Sequence, residues 1–274
     1  MPERAPPDLD TLSFRLVFGA IAAIGLVFLV APTLIVLVTS FTNAATLKFP
    51  PPGYSFRWYA ALADPDASQI WSAARNSLVI AVCATILSVV IGTAGALVVS
   101  GNRAPWARAL DALMMSPLVL PALAFGFGCL IYISLIGLSP SLTLLIVGHT
   151  VVCFPFVMRT TLASLAQLDP ALAEASESLG ASRLRAFVKV TLPLIGKGVG
   201  AGAFIAFMAS FDNVPVSLFL ADARTEVLPI HMWQIIDNDL DVRTAAVSGV
   251  LIAFTLALML IAERFAGLTR QLGR

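Results

Sequence analysis

Charged side chains that could recognise a partner are concentrated in one short stretch of this chain. Residues 174–193 read EASESLGASRLRAFVKVTLP and carry two glutamates, two arginines and one lysine, punctuated by Gly180 and Pro193. Such a segment can bind another protein, or it can rest as a basic amphipathic loop on anionic lipid. Because lipid binding does not require a corner set by a glycine, the sequence favours a protein partner.

The cysteines and histidines do not have the spacing of a metal or disulfide site. Cys83, Cys129 and Cys153 all lie in apolar stretches, and their odd number is typical of hydrophobic packing residues. His149 and His231 are far apart in the sequence, and no Cys/His cluster has the spacing of metal ligands. The sequence therefore predicts no metal site.

The glycine-rich run GKGVGAG at 196–202 does not have the pattern of a phosphate-binding loop. Lys197 has no glycine five residues before it, and it is followed by Gly198, where such a loop has serine or threonine. Gly198 and Gly202 instead form a G-x-x-x-G pair. This pair predicts close packing of the segment against another helix.

The elements that position these residues are predicted to be membrane helices. The chain has 274 residues, of which 58% are hydrophobic and 12% charged, and its mean hydropathy is +0.91. Soluble domains average about 25% charged residues, and the net charge of +1 does not indicate nucleic-acid binding. Stretches long enough to cross a bilayer as helices lie at about 15–41, 75–100, 109–137, 141–163, 196–221 and 242–263.

These stretches predict an all-α membrane protein with six transmembrane helices within residues 15–264. A loop at 164–195 joins the fourth and fifth helices, and short tails cover 1–14 and 265–274. The first apolar run is longer than the apolar core of a signal peptide, and no A-x-A site follows it closely. We therefore expect it to be an uncleaved helix.

The distribution of Lys and Arg predicts that both termini are cytoplasmic. With the N-terminus inside, the inside segments hold twelve of the 17 basic residues and the outside segments hold five. The loop at 164–195, with Gly180, is then inside, whereas Gly53 and Asn238 are outside.

The loop at 164–195 is predicted to form two short helices with a tight bend between them. Asp169-Pro170 supplies an N-cap and a proline at the first helical position, and Gly180 ends the first helix. Ser182 caps the second helix, which Pro193 is expected to interrupt before the fifth span. The apolar face of the second helix follows helical spacing: Leu184, Phe187, Val188 and Thr191.

This loop resembles the EAA loop of bacterial ABC importer permeases, whose pattern is Glu-Ala-Ala, three residues, Gly, nine residues, Ile, one residue, Leu-Pro. The matching positions are Glu174-Ala175-Ser176, Gly180, Val190 and Leu192-Pro193, with Ser176 in place of Ala and Val190 in place of Ile. Four further segments resemble the spermidine/putrescine branch of that family: SFRWY at 55–59, PLVLP at 117–121, SFDNVPVSLFL at 210–220 and VLPIHMW at 227–233. That branch has a second acid where this chain has Asn213.

The resemblance implies the MetI-like fold of a type I ABC importer permease in a bacterial inner membrane. It implies four kinds of partner: a cytoplasmic dimer of ATP-binding subunits, a second permease expected to be a different chain, a periplasmic or extracellular substrate-binding protein, and membrane lipid. No cofactor is implied, since a separate subunit binds ATP, and the chain itself is not expected to be an enzyme. The residues implied to couple to the ATP-binding subunit are Glu174, Ala175, Ser176, Gly180, Ala181, Arg183 and Leu184. The implied solute is a polyamine or related amine, and the alternatives are ferric iron, phosphonate, amino-acid or opine solutes.

Asp212 is the strongest candidate acid within a span. It lies sixteen residues beyond Gly196, or about 24 Å along a helix, in the outer half of the bilayer. An intramembrane carboxylate is costly in lipid, so it should face a cavity or a partner. We therefore expect the solute pathway to include Asp212, Asn213 and Ser210, or else Asp212 to be buried against the partner permease.

The packing around Asp212 can also be predicted. Ser210, Asn213 and Ser217 share a face with Ala203 and Ala206, and small side chains favour packing of that face against another helix. Asp212 points roughly the opposite way. Pro215 cannot bond the carbonyl of Phe211, so a kink is expected there.

Two segments outside the membrane fit transport. Phe56, Trp58 and Tyr59 predict a short helix at the outer interface after the stiff stretch FPPPG at 49–53. The loop at 222–243 carries five acids and two arginines, a net charge of −3, which can attract a cation or dock a binding protein, or can simply be solvated.

Two other classes of protein remain as alternatives. An ion-coupled secondary transporter usually has internal repeats and several intramembrane ionisable groups, and neither is evident in this sequence. The other alternative is a structural or receptor membrane protein without transport. An ATP-binding subunit that co-purifies with the chain would favour the importer over both.

Overall fold

The computed structural model describes residues 9–169, 171–239 and 241–266, and these residues are almost entirely helical. The described α-helices are α1 (Leu9–Thr39), α2 (Arg57–Ala61), α3 (Ser68–Val99), α4 (Pro105–Val119), α5 (Ala122–Leu135), α6 (Leu142–Leu165), α7 (Ala171–Ser178), α8 (Arg183–Ala186), α9 (Leu192–Phe211), α10 (Val214–Leu220), α11 (Leu228–Asp239) and α12 (Arg243–Ala266). Among the described residues, five helices are long and apolar enough to cross a membrane, and the pair α4–α5 can supply a sixth span. The predicted all-α membrane fold is confirmed.

Among the described residues, the larger of two compact units comprises 67–169, 171–234 and 255–266. Its centre is a bundle of α3, α6 and α9, in which Cys153, Val157 and Ala206 are fully buried. Gly92 of α3 lies so close to α6 that an added Cβ would be 2.7 Å from the carbonyl oxygen of Phe154. Small residues therefore allow the helix backbones of the bundle to approach closely.

The predicted close packing of the G-x-x-x-G pair is confirmed. An added Cβ on Gly202 would lie 2.7 Å from the Cα of Val157, and one on Gly198 would lie 2.7 Å from the carbonyl oxygen of Thr160. Both neighbours belong to α6. The run at 196–202 is therefore inside a packed helix and not in a loop.

We expect Gly202→Ala to destabilise the purified subunit, because the added methyl group meets the α6 backbone, and overpacking of this kind costs about 1–3 kcal/mol. Gly200→Ala is the matched control, because no described residue comes within 4 Å of its added Cβ. The thermal midpoint in detergent should fall for the first variant and not for the second. Equal midpoints would contradict the packing.

The third span, predicted as one helix at 109–137, is broken in the structure. Its two parts, α4 and α5, meet at 102° around Leu120 and Pro121. The cause is local: the residue before a proline is driven out of the helical region, and Leu120 has an extended ψ of 138°. Sequence analysis assigned Pro121 to the interior of a span and did not predict this bend.

The fifth span, predicted as 196–221, is also two helices. α9 ends at Phe211 and α10 begins at Val214, so the kink expected near Pro215 is a complete break at Asp212 and Asn213. The side chain of Asn213 caps α10 by accepting a hydrogen bond from the N–H of Val216 at 3.0 Å.

The expected interruption at Pro193 is wrong. The chain is helical without a gap from Arg183 to Phe211, because a π-helical turn (Phe187–Thr191) joins α8 to α9. In this turn the N–H of Leu192 bonds to the carbonyl of Phe187, five residues earlier. Proline lacks an N–H and crowds the carbonyl four residues before it, and the wider turn accommodates both effects.

Among the described residues, the smaller unit comprises 9–66, 235–239 and 241–254. The predicted short aromatic helix is α2. The hydroxyl of Tyr59 in this helix is hydrogen-bonded at 2.7 Å to the hydroxyl of Ser40, which directly follows α1. Gly249 of α12 lies directly against this pair, where a larger residue would not fit. The indole N–H of Trp58 donates to the carbonyl of Ala44 at 3.0 Å. These contacts anchor α2 to the end of α1.

The segment at 222–243, predicted as a loop, contains a helix. A tight turn at residues 222–225 is followed by α11. Leu228, Ile230, His231 and Met232 of α11 are buried. These residues are nearly consecutive, so the start of α11 is buried on most sides, and its exposed residues begin at Trp233.

Candidate functional site

The bend between α7 and α8 is set by Gly180. Its φ is +90°, a left-handed conformation that L-residues with side chains rarely adopt. The N–H of Ala181 bonds to the carbonyl of Ser176 at 3.1 Å, and the N–H of Gly180 bonds to that of Glu177 at 2.9 Å. This pair of bonds is a Schellman motif, which closes the end of α7 and fixes the direction of the chain. The predicted helix end at Gly180 is confirmed.

Ser182 is the N-cap of α8, as predicted. Its hydroxyl accepts a hydrogen bond from the N–H of Arg185 at 3.4 Å. Since α8 runs through the π-helical turn into α9, the corner at Gly180 is rigidly connected to the break at Asp212. The continuous helix of 29 residues between Arg183 and Phe211 is about 43 Å long at 1.5 Å per residue.

The corner formed by residues 171–188, which we call the knuckle, exposes apolar side chains. Leu179 is 90% exposed and Leu184 is 73% exposed, and Leu172 and Val188 are also exposed. The apolar face of α8 predicted from helical spacing therefore points largely away from the protein. Clustered exposed apolar side chains with charged neighbours are typical of a surface that binds another protein.

The predicted coupling residues all lie on the knuckle. Glu174, Ala175, Gly180, Arg183 and Leu184 are exposed, whereas Ser176 and Ala181 are half-buried. Asp169 caps this segment by accepting a hydrogen bond from the N–H of Ala171 at 2.9 Å. Pro170, predicted as the first helical residue, lies outside the described residues.

The predicted pathway residues lie at the break between α9 and α10. Asp212 is exposed, and in the described part of the chain no hydrogen bond or ion pair reaches its carboxylate. Its carbonyl accepts a hydrogen bond from the N–H of Val214 at 3.0 Å. Asn213 is half-buried and Ser210 is 2% exposed. The structure therefore brings Asp212 and Asn213 together at the surface, with Ser210 in the interior.

The predicted packing face of the fifth span is confirmed for Ala206, Ser210 and Ser217, which are buried. Ser210 and Ser217 both bond to the imidazole of His149 on α6, at 2.8 and 3.0 Å. Sequence analysis considered His149 only as a metal ligand. A polar ring in an apolar span needs partners, and two serines seven residues apart on one helix face were the signal that could have identified them.

A second intramembrane acid was missed by the sequence analysis. Asp111 of α4 lies 3.9 Å from Arg159 of α6, so this acid has an oppositely charged partner within the chain.

Several acids of the segment at 222–243 serve local structure. The carboxylate of Asp222 accepts hydrogen bonds from the hydroxyl and the N–H of Thr225 and from the N–H of Arg224. These bonds, that of the Thr225 hydroxyl above all, lower the pKa of Asp222 from its usual value. Glu226 bonds to His231 at 3.2 Å. These bonds orient the carboxylates and leave the net charge of the segment at −3.

Among the described residues, no group of three or more His, Cys, Asp or Glu side chains could hold a metal ion. The described residues of the site are suited to binding a partner or a solute. One surface, the knuckle, can bind a protein, and one exposed carboxylate sits at a helix break about 43 Å away along a rigid helix.

Comparison with known proteins identifies the class. Residues 88–271 match the model of the family described as binding-protein-dependent transport system inner membrane component. A solved structure of the bacterial alginate ABC transporter, in complex with an alginate pentasaccharide-bound periplasmic protein, superposes with a TM-score of 0.69 at 16% identity, and the match covers 94% of each chain. The chain belongs to this family and has the MetI-like fold of ABC importer permeases. It is an inner-membrane permease of an ABC importer, with several membrane-spanning helices.

Two curated relatives are polyamine permeases. The chain is 26% identical to the spermidine/putrescine transport system permease protein PotC of Escherichia coli (strain K12), over 92% of this chain and 94% of that protein. It is 31% identical to the putrescine transport system permease protein PotI of the same strain, over 78% of this chain and 77% of that protein. The resemblance to the polyamine branch is thus confirmed over most of the chain.

Proposed function

We propose that this permease is driven by a separate ATP-binding subunit that grips the knuckle, and that its solute is a polyamine or a related amine. The observation that carries the coupling role is the geometry of the knuckle: a glycine-set corner with exposed leucines, continuous with the helix that ends at Phe211, next to Asp212. A movement of α8 would be transmitted along this helix because the chain is helical without a gap between Arg183 and Phe211.

ATP binding is assigned to the other subunit and not to this chain. The run at 196–202 is helical, and Gly198 and Gly202 lie against α6, so it presents no loop of N–H groups to a phosphate. The chain then acts as a non-catalytic subunit without a cofactor. It transmits motion and forms half of the translocation pathway.

The other partners follow from the class of transporter. A dimer of ATP-binding subunits, a second permease of different sequence and a periplasmic or extracellular substrate-binding protein complete the complex. α1 exposes most of its apolar side chains, as expected for a helix that contacts lipid or the second permease.

Three observations support an amine solute. PotC and PotI, two relatives matched over most of the chain, are permeases for spermidine and putrescine. Asp212 presents a carboxylate within the membrane, where a cationic group is its natural partner. The segment at 222–243 adds a net negative charge. The identity of the ligand bound by the cognate binding protein tests this directly: titration with putrescine and spermidine should give saturable binding, and binding of an anion or an amino acid instead would contradict the proposal.

The coupling role requires the knuckle and both termini to be cytoplasmic. This orientation is tested with single cysteines in a background without Cys83, Cys129 and Cys153. Gly180 and Gly53 are poor positions, because the first has a positive φ and a Cβ on the second would meet Asn43. Exposed neighbours serve instead: Leu179→Cys, Lys48→Cys and Asn238→Cys.

In intact cells, a membrane-impermeant thiol reagent should label cysteine at positions 48 and 238 and not at 179. Position 179 should be labelled after permeabilisation, which controls for reactivity. Labelling of position 179 in intact cells would overturn both the topology and the coupling role.

A further inference from the structure

His149 holds both arms of the broken fifth span. It is 1% exposed, and each of its ring nitrogens bonds to a serine hydroxyl: Nδ1 to Ser210 on α9 at 2.8 Å, and Nε2 to Ser217 on α10 at 3.0 Å. The two serines are themselves buried, and Asp212 and Asn213 lie between them in the sequence. One side chain of α6 therefore connects the two helices that the break separates.

The bridge is chemically complete in either tautomer. A neutral imidazole has one N–H donor and one acceptor nitrogen, and a serine hydroxyl can play either role. Each serine can thus match the ring nitrogen that it meets. In an apolar surrounding an unpaired polar group is costly, so both bonds should be maintained.

The bridge adds a side-chain link across the break. Only two residues separate the helices, where the N–H of Asn213 bonds to the carbonyl of Ser210 and the N–H of Val214 bonds to the carbonyl of Asp212. The cap by Asn213 satisfies α10 alone. Packing adds contacts on α10: a Cβ on Gly148 would lie 3.0 Å from Val216, and one on Gly126 would lie 2.6 Å from the carbonyl oxygen of Pro215. These contacts place α10 between α5 and α6, but they do not bind α9.

We propose that His149 is a positioning residue for the solute pathway: through Ser210 and Ser217 it fixes the angle between α9 and α10, and hence where the carboxylate of Asp212 is presented. This inference rests on the proposed function in that Asp212 lines the pathway. His149 itself is buried and does not contact the solute.

The test uses the assembled transporter in proteoliposomes with labelled putrescine. Ser217→Ala removes one hydroxyl from the bridge and leaves the packing volume nearly unchanged. Its matched control is Ser88→Ala, since Ser88 is also fully buried and also meets α6. It does so through a 3.5 Å contact with the carbonyl of Thr150, which involves neither α9 nor α10. We expect Ser217→Ala to raise the KM for uptake roughly fivefold, the size of one net hydrogen bond, with little change in Vmax. Ser88→Ala should change neither.

Two further measurements separate positioning from a general structural role. In an Asp212→Asn background, Ser217→Ala should have no additional effect on KM, because the bridge acts through the carboxylate. Spin labels on cysteines at Ile205 and Leu218, one exposed position on each arm, should show a broader distance distribution in Ser217→Ala than in Ser88→Ala. Ser210→Ala, which removes the other bond, should broaden it as well.

Unchanged KM and unchanged distances in both Ser210→Ala and Ser217→Ala would overturn the inference, as would an undiminished effect of Ser217→Ala in the Asp212→Asn background. If Asp212→Asn leaves uptake unchanged, it is the assignment of Asp212 to the pathway that fails. In that case the spin-label distances still test the role of His149: if they are no broader in Ser210→Ala and Ser217→Ala than in Ser88→Ala, His149 does not fix the angle between α9 and α10.

Discussion

Replacement of Gly180 by valine should leave the permease inserted and assembled but abolish substrate-stimulated ATP hydrolysis by the complex. The φ of +90° at Gly180 costs an L-residue about 1–2 kcal/mol, and more for a β-branched one. No atom of the described residues lies within 4 Å of an added Cβ, so the effect comes from the backbone and not from a clash. Relief of the strain would open the Schellman motif and turn α8 away from its partner.

The structure offers a closely matched control in Gly137, between α5 and α6. Its φ is +74°, and in the described part of the chain no atom lies within 4 Å of an added Cβ. The same pair of bonds closes its turn, from the N–H of Gly137 to Ser134 and from the N–H of Leu138 to Ile133. Gly137→Val should cost similar stability but retain stimulated hydrolysis. Gly180→Asn should be partly active, since asparagine tolerates the left-handed conformation.

Charge reversal at Glu174 tests the same surface without backbone strain. Glu174 is exposed on α7, where a surface substitution rarely changes stability by more than about 0.5 kcal/mol. Glu174→Arg should therefore preserve the subunit and abolish stimulated hydrolysis, whereas Glu177→Arg on the same helix should have a smaller effect. Normal stimulated hydrolysis and uptake in both Gly180→Val and Glu174→Arg would defeat the assignment of the knuckle as the coupling surface.

The second large effect is expected at Asp212. Asp212→Asn keeps the shape of the side chain and removes its charge, so uptake of an amine should fall roughly tenfold or more, the size of a hydrogen bond to a charged group. Assembly and basal ATP hydrolysis should change little, because the carboxylate is exposed and bonds to no described group. Uptake assays in proteoliposomes with a complex shown to be intact provide the measurement.

Asp237→Asn is the control for Asp212→Asn. Asp237 is an exposed acid of α11, and its field is screened by salt. Its substitution should lower uptake slightly, and only at low ionic strength. Uptake unchanged by Asp212→Asn would remove Asp212 from the pathway and return it to the interface with the second permease.

Local signals in the sequence were sufficient for much of this account. The order of the spans follows from hydropathy, and the corner of the knuckle follows from Gly180 and Ser182, whose conformations depend on neighbours within a few residues. The G-x-x-x-G pair predicted a close helix contact, although the sequence did not identify α6 as the partner.

Features that depend on competition between local and tertiary effects were not predictable in the same way. Pro121 bends the third span by 102°, whereas the helix continues through Pro193 because a π-helical turn precedes it. The presence of a proline alone therefore does not predict whether a helix bends or continues. The bridge at His149 joins residues 61 and 68 positions apart. Only the fold brings them together.

The most direct test of the central claim is solute accumulation by the purified complex in proteoliposomes with its binding protein. Labelled spermidine or putrescine should accumulate only when ATP and the binding protein are both supplied. Gly180→Val should abolish this accumulation, and Gly137→Val should not. Accumulation driven by an ion gradient in the absence of ATP, or equal accumulation in the two glycine variants, would contradict the claim.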